Sequence, residues 1–111
     1  MQSTMIRYIG NTYLDIDNHQ EALEHYNRAL ELSIEIDDKI ETIDNYTAIS
    51  EYYKAVENYP EALNNLFIAN KIINETIHQI NYRLSFCLNQ IKYLQIQYLY
   101  LNYGYIKGVY V

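Results

Sequence analysis

Asn18–Leu23 reads NHQEAL and Asn58–Leu63 reads NYPEAL, forty positions apart. No single helix or hairpin accounts for an echo at that distance, so it marks a repeated unit. Within each string an asparagine precedes a glutamate by three residues, and Asp38 with Glu41 does the same midway between them. A short capping side chain three residues before a carboxylate allows reciprocal bonds that satisfy backbone donors left free at a helix start. Pro60, the only proline, falls in the first turn after Asn58, where its missing N–H is not needed.

Working outward, apolar residues recur at steps of three and four, as in Ile6, Ile9, Tyr13 and Ile16, then Leu23, Tyr26 and Leu30. This is helical periodicity. With the caps it predicts helices over about residues 3–16, 19–36, 39–57, 60–78 and 82–101. The short links between them force consecutive helices into antiparallel hairpins.

Sliding the chain by forty sets Ile9 on Ile49, Tyr13 on Tyr53, Ala22 on Ala62, Leu23 on Leu63 and Ala29 on Ala69. Gly10 falls on Ser50, another small residue. A fixed period of this length holding two helices is the signature of an α-solenoid, in which each hairpin buries its face against its neighbours. Size alternation supplies the packing logic. Gly10 or Ser50 and Ala22 or Ala62 let two backbones approach, and Tyr13 or Tyr53 fills the space beside them.

These residues resemble the tetratricopeptide repeat in a longer variant of about forty residues. The motif runs Ile6, Ile9-Gly10, Tyr13, Ala22, Tyr26, Ala29, and again Tyr46, Ile49-Ser50, Tyr53, Ala62, Leu66, Ala69. The resemblance covers residues 3 to about 77 and implies an all-α solenoid of about two and a half repeats and five helices. One domain over 1–111 is expected: repeat 1 over about 3–37, repeat 2 over 38–78, an incomplete third repeat or capping helix over 81–101, and an irregular tail over 102–111. The third unit departs from the pattern, because Asn89-Gln90 stands where Ile-small stood and Asn102 replaces the alanine. From Gln95 onward, tyrosines, β-branched residues, Gly104 and Gly108 suggest an irregular or extended segment.

The expected fifth helix carries two ridges. Leu84, Cys87, Leu88, Ile91 and Leu94 can pack on the fourth helix and line the concave side, whereas Phe86, Tyr93, Ile96 and Tyr100 have no partner in this chain. Burying four such side chains is worth very roughly 6 to 12 kcal/mol, comparable with the stability of a small domain. That predicts a cover for the second ridge: a second copy of the chain, the folded-back tail or additional repeats, with a homodimer through the fifth helix the leading form.

Composition narrows the function. All 14 acidic residues lie at or before Glu75, where they outnumber five basic residues for a net of −9; the last 36 residues carry only Arg83, Lys92 and Lys107. An acidic body argues against non-specific nucleic-acid binding, which depends on Lys and Arg neutralising phosphates. Residues 84–106 are sparsely charged, but Asn89, Gln90, Gln95, Gln97 and Asn102 interrupt them, so no transmembrane span is expected. The start, MQSTMIRYIG, lacks the pattern of a secretory signal, and the one cysteine suits a reducing compartment; both favour the cytoplasm.

Catalysis finds little support. His19 and His25 face different sides of one helix, His78 is remote, Asp37-Asp38 is a helix start, and no glycine-rich loop exists. Cys87 is expected to be a buried structural thiol. No enzyme activity, metal or cofactor is expected.

The resemblance implies a concave groove lined by the first helix of each pair, holding an extended peptide or a partner helix. Its candidates here are Arg7, Tyr8, Asn11, Asp44, Thr47, Ala48, Glu51, Leu84, Cys87, Leu88 and Ile91. Members that bind a terminal carboxylate use a basic residue and an asparagine one turn apart, which Arg7 and Asn11 match. Ala48, Leu84 and Leu88 stand where the other polar groups belong, so Arg7 and Asn11 read as ordinary surface polar residues. Similar repeats occur in bacterial regulators, which suggests the regulatory part of a signalling or transcription-regulating protein, with a protein or peptide partner. The alternative is docking of the basic, aromatic segment from Arg83 onward on a membrane surface or an acidic partner, with the repeats as spacer.

Overall fold

A computed structural model describes residues 2–110, with side chains described through Asn102. The described residues form four helices: α1 (Gln2–Asp15), α2 (His19–Glu35), α3 (Lys39–Ala55) and α4 (Tyr59–Tyr110). They divide into two compact units, residues 1–76 and 77–111.

The first unit contains the repeated hairpins. Its three connections are identical in construction and twenty residues apart. Asp17, Asp37 and Glu57 each adopt a left-handed conformation, with φ of 58°, 55° and 62°. Each donates its N–H to a carbonyl three residues back, and the following residue reaches five back, as in Asn18 to Tyr13 at 2.8 Å and Asn58 to Tyr53 at 2.8 Å. This paired closure satisfies the last carbonyls of the outgoing helix. The residue that completes it is also the cap of the next helix: Asn18, Asp38 and Asn58 accept from the N–H of Glu21, Glu41 and Glu61 at 3.4, 3.1 and 3.4 Å.

This corrects the expectation of reciprocal caps. The N–H that the glutamate side chain would reach already belongs to the preceding helix. One residue therefore ends one helix and begins another, and each link is three residues long.

The same device explains the largest departure from expectation. The next stop would fall near residue 77, but the chain reads Thr76-Ile77-His78. A β-branched residue does not tolerate the left-handed turn, and no glycine or proline follows before Gly104. Hence there is no break between residues 78 and 82 and no fifth helix; α4 runs on. The irregular tail is also overturned, since the backbone stays helical to Tyr110, while Val111 lies outside the described residues.

Within the first unit, α2 packs on both α1 and α3, and α1 reaches α3. The apolar core is Ala22, Tyr26, Ile49 and Tyr52, flanked by Tyr13, Leu14, Leu23, Leu30, Ala48 and Tyr53. Tyr26 meets Tyr52 edge-on at 6.5 Å, and Tyr52 meets Tyr53 at 5.1 Å, geometries favoured by the ring quadrupoles.

Small residues mark the close contacts in both repeats. A Cβ on Gly10 would lie 2.9 Å from the Tyr26 ring and 3.3 Å from the Ala22 carbonyl oxygen. Forty residues on, Ser50 donates its hydroxyl to the Ala62 carbonyl at 2.9 Å. Leu66 replaces Tyr26 there and is 45% exposed against 1% for the tyrosine.

The second unit is helical, and every described side chain from Ile77 to Asn102 is exposed. Cys87 is among them, correcting the buried thiol expected for it. No helix among the described residues is long and apolar enough to cross a membrane.

Candidate interaction groove and its polar bridge

Ser3, Arg7 and Gly10 occupy one stripe of α1, four and three residues apart, and that stripe is buried. On α3 the matching stripe holds Thr42, Asn45, Ile49 and Tyr52. Polar residues thus occupy core positions at one end of each stripe, and the structure joins them into a network across three helices.

Asn45 is its centre, with no exposed surface. Its Nδ2 faces Ser3 Oγ at 2.8 Å, the Ala29 carbonyl at 3.0 Å and Ser33 Oγ at 3.2 Å, while its Oδ1 accepts from Arg7 Nη1 at 3.0 Å. Ser3 donates to Ala29 O at 3.0 Å, and the Thr42 hydroxyl lies 3.0 Å from Ser33 Oγ and 2.8 Å from Asp38 O. Buried polar groups are tolerable only when so satisfied.

Arg7 completes the bridge from α1 to α3. Its Nη1 also meets Glu41 Oε2 at 3.0 Å, Nη2 lies 3.9 Å from Asp44, and the guanidinium sits 5.5 Å from the Tyr8 ring centre. Arg7 is 8% exposed, which corrects its reading as an ordinary surface residue. A peptide carboxylate would have to displace Glu41 to reach it, so the partial match to a carboxylate-binding pair does not survive. Asn11 is occupied as well, accepting from the Tyr26 hydroxyl at 2.5 Å. Burial raises the pKa of that hydroxyl, Asp15 adds to the rise, and Arg7 works against it; Tyr26 therefore stays a donor.

Burial alone would raise the Glu41 pKa, but the Thr4 hydroxyl and the Arg7 charge together pull it below the ordinary value of 4.5. Ser3, the remaining contributor, has its one proton committed to Ala29 O. A lowered folded pKa stabilises the fold above the unfolded value, and that stability is lost as pH falls through the folded one. Urea midpoints are accordingly expected to fall as the pH drops below about 4.5, and Glu41→Gln should make that acid limb shallower. An unchanged acid limb in Glu41→Gln would remove the carboxylate from the bridge.

Of the candidate groove residues, the structure gathers those of α1 and α3 in one unit. Tyr8, Asn11, Thr47 and Glu51 are exposed, Asp44 is half-exposed, and Ala48 packs partly against the core. Leu84, Cys87, Leu88 and Ile91 lie in the second unit, exposed on α4. The bridge itself escaped sequence reasoning, although one signal was present: Ser3 and Arg7 share a helical face with Gly10, the residue already assigned to a close contact. Among the described residues, no group of three or more His, Cys, Asp or Glu could hold a metal ion.

Comparison with known proteins agrees with this architecture. A family model described as the tetratricopeptide repeat matches residues 1–66. No curated protein and no solved structure matches the chain. The matched span covers both helix-stop devices before α3, the polar bridge and the Ser50–Ala62 contact, and the chain belongs to the tetratricopeptide repeat family.

Proposed function

We propose that this chain is a non-enzymatic interaction module that holds a peptide or partner helix along the α1–α3 face, as the regulatory part of a bacterial signalling or transcription-regulating protein. Tetratricopeptide repeats generally mediate protein–protein interaction. The observation that carries the reading is a division of labour on this face. Arg7, Asn45 and Glu41 tie α1 to α3 and Asn11 holds the Tyr26 hydroxyl, while Tyr8, Thr47 and Glu51 stay exposed on the same face. A face held rigid in advance costs a ligand less ordering on binding.

Charge indicates the kind of ligand. Arg7, Glu41, Asp44 and Glu51 sum to −2, and the one cation is already paired. Such a strip favours a peptide bearing lysine or arginine, and it offers no free base to a terminal carboxylate. Panning a random peptide library on the chain should enrich basic sequences whose binding is indifferent to C-terminal amidation. Asp44→Lys with Glu51→Lys should weaken them about tenfold or more. Recovered peptides that bind the double variant equally well would overturn the assignment of this face.

Self-association belongs to the same reading. Phe86, Tyr93, Ile96 and Tyr100 are each more than half exposed, which supports a second copy as one partner.

A further inference from the structure

From Ile77 the apolar residues of α4 follow a different rule from the one that built the repeats. Ile77, Leu84, Ile91 and Tyr98 are seven apart, and Ile80, Cys87, Leu94 and Leu101 fall three residues after each. Four consecutive heptads with apolar residues at both positions are the pattern of a coiled-coil strand. The forty-residue register fails over the same stretch: Asn89 stands at the place of buried Ile49 and Lys92 at that of buried Tyr52. Every residue of the seam is exposed, the apolar ones other than Cys87 by half or more.

Resting on the self-association reading above, we infer that residues 77–101 of two copies pair through this seam as a parallel, in-register two-stranded coiled coil. Three observations select a second copy of this chain. A seam at 3.5-residue spacing is complementary to a helix with the same spacing, and this helix has it. The flanking positions are self-compatible: across a parallel pair, Gln90 of one copy faces Gln95 of the other, and Gln97 faces Asn102, amide against amide. Residues 77–102 contain no acid and only Arg83 and Lys92 as bases, so no row of like charges is forced together, and little attracts an acidic partner.

Size agrees. Each seam side chain contributes about 60–120 Å² of apolar surface. Sixteen of them in a pair cover on the order of 1,000–1,900 Å², the range of a specific interface. Isoleucine at two of the four leading positions and leucine at two of the four following ones suit two parallel strands. The helix also needs a partner, since this stretch lacks alanine, is rich in isoleucine and tyrosine, and has no packed side chain of its own.

The phenyl and tyrosyl ridge of Phe86, Tyr93 and Tyr100 is also spaced by seven but lies on another face, so the pairing keeps the second copy and moves its contact from that ridge to the seam. Sedimentation equilibrium of the full chain should report twice the 13.3 kDa chain mass. Leu84→Asn with Ile91→Asp should raise the dissociation constant on the order of 100-fold or more, while Phe86→Ser with Tyr93→Ser leaves it within about threefold. Unfolding of the repeat unit, followed by urea, serves as the folding control for each variant. Mild oxidation of the unaltered chain should link Cys87 to Cys87 across the pair, because equivalent seam positions face one another only in the parallel, in-register form. A monomer sinks both this inference and self-association. A dimer broken by the Phe86/Tyr93 variant and not by the seam variant sinks the seam alone, and an intact dimer that resists cross-linking sinks the parallel register.

Discussion

Asn45→Leu is expected to cost the repeat unit about 2–4 kcal/mol, although it places a residue of similar size and greater hydrophobicity at a fully buried position. The reason lies in what surrounds it. Leucine would abut Ser3 Oγ, Ser33 Oγ, the Ala29 carbonyl and the Arg7 guanidinium. Arg7 Nη1 would keep Glu41 but lose its buried acceptor, and an ionised donor left short inside the protein costs more than a neutral one. The apolar gain does not offset this, because none of those neighbours is apolar. Arg7→Met combined with Asn45→Leu should recover part of the loss by removing the stranded charge. Urea denaturation measures all three variants, and a loss below 1 kcal/mol for Asn45→Leu would mean that the network rides on the fold and does not hold it.

Gly10→Leu should be destabilising by about 2–4 kcal/mol, against the roughly 1 kcal/mol that helix propensity alone would return. Even a single added carbon would lie 2.9 Å from the Tyr26 ring, which is buried and tethered through its hydroxyl to Asn11. The Ala22 carbonyl, 3.3 Å away, is backbone and cannot yield. The second repeat shows the alternative solution to the same contact, with Ser50 and Leu66 in place of Gly10 and Tyr26. Gly10→Ser should therefore be costly beside Tyr26 and much less so in the Tyr26→Leu background, a coupling of about 1 kcal/mol or more. Additivity in that cycle would show that the ring does not exclude the side chain.

Much of the fold was legible because it is written in local rules. Asn18, Asp38 and Asn58 cap the helices that follow them, Pro60 sits in a first turn, and Gly10 and Ser50 mark the tight contacts. Family membership follows from the same residues. The helix ends were harder to see, because the left-handed positions are filled by Asp17, Asp37 and Glu57 where glycine would have announced them. Without that signal the forty-residue period alone predicts a further stop near residue 77, where Ile77 does not permit one.

The polar bridge could not be read in advance. Ser3, Arg7, Ser33 and Asn45 look like surface residues, since a buried hydroxyl, amide or guanidinium is stable only if partners from distant parts of the chain meet it. By itself the sequence determined which segments become helices and where small residues let them touch, because propensity, capping and side-chain volume act within a few residues. Only the tertiary structure decided that Arg7 is spent on Glu41 and Asn45, 34 and 38 residues away, because the worth of a buried charge is set by neighbours that folding alone brings within 3.0 Å.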